Sequence, residues 1–114
     1  MAYTAGDLAK TLSSVDEASL VRVVADWLRH GTVSDEAPPL TGSAIADALV
    51  AAAVAHLARS RGVPVPRWTH EASRALPRFW HPGDDAFFAY ALAHAPAEFA
   101  ARGILIERGS LVSM

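Results

Sequence analysis

The amino-acid sequence predicts a single all-α domain of five or six helices with an extended C-terminal tail. Its 114 residues suit one domain, because a second hydrophobic core would be too small. Hydrophobic residues make up 52% of the chain, which is enough to bury a core. In the longest segments without proline, apolar residues recur every three or four positions, as they do on one face of a helix.

Two helices are predicted before the first proline. Thr4 is a suitable N-cap for a helix over residues 5–12. Ser14 and Glu17 have the spacing of a capping box, and the apolar residues after them follow at helical intervals. We therefore predict a second helix over residues 15–30, which the glycine at the next position ends.

A loop and a central helix are predicted next. Residues 32–42 contain two consecutive prolines and several acidic or small polar residues, so we predict a loop there. Residues 43–60 are rich in alanine and precede Gly62, which predicts a helix that its neighbours approach closely. His56 lies on or beside the apolar stripe of this helix, and we predict a buried, hydrogen-bonded histidine.

The second half of the chain is broken by prolines into shorter elements. We predict helices over residues 69–75, with Thr69 as the cap, over residues 85–94 and over residues 96–102. Residues 104–106 are consecutive aliphatic residues. They are compatible with a strand that pairs with a second chain, but we favour an extended tail packed across the helices.

The sequence lacks the common signatures of catalysis and cofactor binding. It has no cysteine, which excludes disulfides and thiolate metal sites. The five histidines show no pair at i, i+4, and the glycines form no phosphate-binding loop. Asp84 and Asp85 are better explained as helix caps than as an acid–base pair. We therefore predict no catalytic residues, no cofactor and no metal, and a protein that is not an enzyme.

Nothing in the sequence indicates secretion or a membrane span. The N-terminus lacks the basic start and the long apolar run of a signal peptide. The longest apolar stretch, residues 44–55, is interrupted by Asp47 and is too short to cross a membrane. These observations predict a cytoplasmic protein.

The charge of the chain is unevenly distributed although its formal net charge is only −2. Between residues 58 and 80 there are five arginines against Glu71 alone. Such an excess attracts phosphates or an acidic protein face, although it also suits a solvated rim. A sequence pI near 6.2 argues against nucleic acid as the first choice of ligand. A DNA- or RNA-associated regulator that uses residues 59–78 is therefore our alternative function.

The segment over residues 67–85 is the strongest candidate for a binding surface. It combines tryptophan and arginine, which are enriched at interface hot spots, with prolines that stiffen the chain. In the alternative interpretation its aromatic residues fill the core. The predicted partner-binding residues are Trp68, Arg74, Arg78, Phe79, Trp80, His81, Asp84 and Asp85.

Three motifs follow one another in the chain: WT at 68–69, RFW at 78–80 and APAEFAARGILIE at 95–107. In this order they resemble an actinobacterial family whose domain commonly follows a helix-turn-helix module of the Xre type. The regulators that carry it look like antitoxins of toxin–antitoxin pairs. The resemblance covers roughly residues 25–112, and we expect no counterpart of the DNA-reading module in the short segment before it. It implies an antitoxin that binds a neighbouring toxin directly, and the alanine-rich helix leaves a homodimer open.

Overall fold

A computed structural model describes residues 3–80 and 95–106, and over these residues the protein is all-α, as predicted. The four α-helices of this part are α1 (Ala5–Ser14), α2 (Leu20–His30), α3 (Ala44–Ser60) and α4 (Ala97–Ala100). Three 3-10 turns accompany them, at Glu17–Ser19, Arg67–His70 and Ala72–Arg74. The helix predicted over residues 85–94 lies outside the described residues. The number of five or six helices is therefore not confirmed.

Helix α3 is the centre of the domain. Most of its residues are buried, on every side of the helix, which is typical of a helix inside a core. Helices α1, α2 and α4 and the two later 3-10 turns all pack against it. The Ser43 hydroxyl caps the helix by accepting the Ala46 N–H at 3.3 Å, and Gly62 ends it at a φ of +68°. The predicted helix and its central position are confirmed.

The N-terminal cap of α1 is a full capping box. The Thr4 hydroxyl accepts the Asp7 N–H at 3.0 Å, and the Asp7 carboxylate accepts the Thr4 N–H at 3.1 Å. The cap predicted at Thr4 is confirmed, and the helix continues two residues further than predicted, to Ser14.

The capping box predicted at Ser14 and Glu17 is wrong. Ser14 is the last residue of α1, and its hydroxyl donates to the Thr11 carbonyl at 3.0 Å. Asp16 takes over as the cap, because its carboxylate accepts the Ser19 N–H at 3.1 Å and starts a 3-10 turn. The regular helix begins only at Leu20 and ends at the predicted residue, His30.

The helix predicted over residues 69–75 is replaced by two 3-10 turns with extended backbone at Glu71 between them. Thr69 is not a cap, since it is fully buried inside the first turn and its hydroxyl donates to the Pro66 carbonyl at 2.7 Å. The extended backbone at Pro66 starts the turn two residues earlier than predicted.

The C-terminal described segment packs into the core. Helix α4 is shorter than predicted, with Pro96 at its N-cap and a completely buried Phe99. After Gly103, whose φ is +83°, residues 104–106 are buried as a short extended segment. This segment pairs through one parallel bridge, between Ile104 and Trp80 of the same chain. The interpretation as an extended segment packed on the helices is confirmed for these residues.

His56 of α3 is hydrogen-bonded as predicted, although it is half-buried rather than buried. Its Nδ1 lies 3.0 Å from Glu98 Oε1, and 25% of its side chain is exposed. Its ring also contacts Phe99 edge to face, with the ring centroids 5.7 Å apart. These contacts join α3 to α4.

Candidate protein-binding surface

Residues 76–80 are held in place by backbone hydrogen bonds to the segment after α4. Leu76 N–H donates to the Arg102 carbonyl at 2.9 Å, and Trp80 N–H donates to the Gly103 carbonyl at 2.8 Å. The Trp80 carbonyl in turn accepts the Leu105 N–H at 2.8 Å. This pairing fixes the direction of the side chains between residues 76 and 80, although the segment has no regular secondary structure.

A side-chain hydrogen bond fixes Trp80 from a second direction. Its indole Nε1–H donates to Glu17 Oε1 at 2.9 Å, across 63 positions of sequence. The body of the half-buried indole packs against the core. Sequence reasoning missed this role of Glu17, because the local pattern around it indicated only a helix cap.

Phe79 is the most exposed of the large apolar side chains in the described part of the chain. It is 58% exposed, compared with 54% for Leu40 and 41% for Val63. Arg78 beside it is also exposed. We call Arg78, Phe79 and Trp80 the RFW surface. It combines an exposed aromatic ring and a guanidinium on a backbone that the neighbouring segment holds in position.

Trp68 lies inside the fold. It is 7% exposed, and its indole Nε1–H donates to the Ser34 carbonyl at 2.9 Å. This bond attaches the loop over residues 32–42 to the rest of the domain. The interpretation of Trp68 as a residue that fills the core therefore fits the structure.

Arg74 lies beside Trp68 and is only 2% exposed. Its guanidinium carbon stands 5.0 Å from the centre of the Trp68 ring, and Nη2 donates to the Pro38 carbonyl. Its Nε and Nη1 atoms have no hydrogen-bond partner within the described residues. Neither Arg74 nor Trp68 offers surface to a partner in this conformation, so both are left out of the surface that we propose below.

The remaining predicted contact residues, His81, Asp84 and Asp85, lie outside the described residues. In the basic segment over residues 59–78 the burial of Arg74 leaves four exposed arginines. One of these, Arg59, lies 3.7 Å from Glu98 through its Nη1 and the carboxylate Oε2. The exposed arginines are Arg59, Arg61, Arg67 and Arg78.

Within residues 3–80 and 95–106, no three histidine, aspartate or glutamate side chains group closely enough to hold a metal ion. In the same part of the chain, no helix combines the length and the hydropathy that crossing a membrane requires. Comparison with protein-family models, with curated proteins and with solved structures gives no match to this chain. The function is therefore argued below from the residues and their geometry.

Proposed function

We propose that this domain is a cytoplasmic, non-enzymatic protein that binds another protein through the RFW surface. The observation that carries the proposal is the 58% exposure of Phe79 on a backbone that is hydrogen-bonded on both sides of Trp80. Because the backbone next to Phe79 is already fixed, binding has to order only its side chain, and burial of the ring contributes on the order of 1–2 kcal/mol. Arginine next to an aromatic ring is the composition typical of interface hot spots.

The partner that we propose is a toxin encoded by the neighbouring gene, which this protein neutralises by direct binding. The resemblance to antitoxin-like regulators is the basis of this choice. Arg78 on the RFW surface and the other exposed arginines of residues 59–78 favour an acidic face on the partner.

Co-expression with the product of the adjacent gene tests the choice of partner. Native mass spectrometry should detect a stable complex, and this protein should restore growth when the neighbour alone is toxic. The mass of the free protein will also show whether it is a homodimer. If the neighbour is harmless and no complex forms, the antitoxin proposal is wrong.

Substitutions on the surface test where the partner binds. The double substitution Phe79→Ser with Arg78→Glu should weaken binding at least tenfold, because hot-spot residues contribute more than about 1.4 kcal/mol each. Leu40→Ser is the matched control, since Leu40 is 54% exposed and lies in a different loop. Equal affinity of the double variant and the control would place the interface elsewhere.

The alternative function is binding to DNA or RNA, and the four exposed arginines of residues 59–78 favour it. If all four contact phosphates, the logarithm of the binding constant falls with the logarithm of salt concentration with a slope of about −3.6. Between 50 and 200 mM salt the affinity would then fall about 150-fold. Absence of binding at 50 mM salt would exclude this alternative.

A further inference from the structure

A partly open cavity of about 270 Å³ lies between α1 and the loop over residues 32–42. Its volume is close to the lower end of the range for small-molecule sites. No residue of the RFW surface lines it, so a ligand here would not occupy the surface proposed for the protein partner. The residues that line the cavity are Gly6, Ala9, Lys10 and Ser13 of α1 and residues 38–41 of the loop.

The wall of this cavity is mostly apolar and offers few hydrogen-bond donors. The two prolines at residues 38–39 have no backbone N–H, and Leu40 after them is 54% exposed. The Ser13 hydroxyl already donates to the Lys10 carbonyl at 2.9 Å. Such a wall accommodates the apolar body of a ligand better than a group that needs many hydrogen bonds.

Lys10 is the charged residue of this wall. It is exposed, and among the described residues it forms no ion pair with a carboxylate. Two carboxylates lie near the cavity without lining it. That of Asp7 caps α1 by accepting the Thr4 N–H at 3.1 Å. That of Asp47 is buried and accepts both the N–H and the hydroxyl of Thr41, at 2.8 and 2.9 Å. The ammonium group of Lys10 is therefore available to an acidic group at the rim of the cavity.

We propose that this cavity binds a small aliphatic carboxylate, with the alkyl chain against the prolines and Leu40 and the carboxylate at the rim beside Lys10. The apolar wall and the single ammonium group match the two parts of such a ligand. The flexible stem of a lysine lets its ammonium follow the head group, to which it donates a charge-assisted hydrogen bond. Because the rim is open, the carboxylate keeps part of its hydration and the cost of burying a charge is avoided.

Titration of the intact protein with butanoate, hexanoate and octanoate tests this proposal, with the NMR amide signals of Ala9 and Leu40 as the readout. The affinity should rise at least fivefold for each pair of added CH₂ groups, because one fully buried CH₂ group contributes about fourfold. If octanoate does not bind at about 10 mM, or if the affinity does not rise along the series, the proposed site is wrong. Saturable shifts at Phe79 instead would place the ligand on the RFW surface and would also overturn the proposal.

The substitution Lys10→Gln separates the role of the ammonium group from that of the apolar wall. At low salt it should lower the affinity for hexanoate about three- to fivefold, because an exposed ion pair contributes no more than this. The affinity for the uncharged 1-hexanol should stay within twofold of the parent. Lys10→Arg is the control that keeps the charge. Equal affinity of the two variants for hexanoate would refute the role of Lys10.

Two neighbouring serines at the end of α1 provide a matched pair of variants. Ser13 and Ser14 are both exposed, and each hydroxyl donates to the backbone carbonyl three residues before it. Of the two, Ser13 alone lines the cavity. Ser13→Trp should fill the cavity and weaken octanoate binding at least tenfold, whereas Ser14→Trp should stay within twofold of the parent. Equal binding by both variants would overturn the site, and it would leave the proposal for the RFW surface unaffected.

Discussion

Gly103 controls how firmly the RFW surface is attached to the domain, and replacing it with alanine tests that attachment. Its φ is +83°, a conformation that costs an L-residue about 1 kcal/mol. A Cβ at this position would lie 3.0 Å from Leu76 Cβ, 3.3 Å from the Leu76 carbonyl and 3.4 Å from the Arg78 carbonyl. These neighbours belong to the segment that carries the surface, so the added methyl group would push this segment away.

Gly62→Ala provides the matched control for the conformational cost. Gly62 also has a positive φ, +68°, but a Cβ there would meet nothing within 4 Å. We expect Gly62→Ala to lower the free energy of unfolding by about 1 kcal/mol. Gly103→Ala adds the cost of overpacking, about 1–3 kcal/mol, and should therefore lower it by about 2–4 kcal/mol.

Urea denaturation of the two variants and the parent measures these free energies. The corresponding decrease in melting temperature is roughly 4 °C per kcal/mol for a domain of this size. Amide hydrogen exchange provides a local measurement. In Gly103→Ala the amides of Trp80 and Leu105, which bridge the two segments, should exchange faster than in the parent. In Gly62→Ala they should not.

Equal loss of stability in both variants would show that the methyl group added at position 103 finds room. The close packing between residues 76–80 and 102–105 would then make no measurable contribution to the free energy of unfolding. An unchanged rate of hydrogen exchange at the Trp80 amide in Gly103→Ala would likewise refute the idea that the packing between these two segments holds the RFW surface in place.

Three further substitutions or titrations test other contacts of the fold. Gly31→Ala should lower the free energy of unfolding by about 1–3 kcal/mol in urea denaturation, because its Cβ would lie 2.7 Å from the buried Trp27 ring. The pKa of Asp7 lies below its ordinary value, chiefly because its carboxylate accepts the Thr4 backbone N–H. The stability that Asp7 contributes should therefore be complete above the unfolded pKa and lost as pH falls through the lower folded pKa, as a carboxyl NMR titration can follow. Arg74→Met should change the free energy of unfolding by less than about 1 kcal/mol, because it removes one hydrogen bond to a carbonyl together with a buried charge and two unpartnered nitrogens.

Two of these predictions have a control variant, and the predictions for Gly31 and Arg74 each have an outcome that would contradict them. Gly6→Ala, within α1, should raise stability by about 0.5 kcal/mol, since its Cβ has only an ordinary contact at 3.6 Å. In Asp7→Asn, the contribution of this cap to stability should no longer change with pH below about pH 4, where an aspartate titrates. For Arg74→Met, a loss above about 3 kcal/mol would mean that the guanidinium is paired with an anion, because breaking a buried ion pair has that cost. Gly31→Ala protein as stable as the parent would mean that the Trp27 ring can move.

Local sequence patterns predicted a helix end well where a single nearby residue or turn determines it. The end of the loop at residue 42, the alanine-rich run and Gly62 defined α3 to within one residue. The start of α2 was misplaced because Asp16 competes with Ser14 for the same role, and spacing alone does not separate two nearby caps. At the end of α2, Gly31 stands where a glycine was expected, but for a different reason. Its φ is an ordinary −65°, and the Trp27 ring leaves no room for a Cβ.

The sequence by itself determined the helical class, the central position of α3 and the concentration of aromatic and basic residues in the second half of the chain. It did not determine which of those residues are exposed, because residues 61–80 have no repeating pattern that would place some side chains inward and others outward. Contacts between residues far apart in the sequence determine which side chains are buried. Ser34 accepts the Trp68 indole N–H and Glu17 accepts that of Trp80. Phe79 is left exposed beside the half-buried Trp80, because the pairing of Trp80 with residues 103–105 sets the direction of the chain.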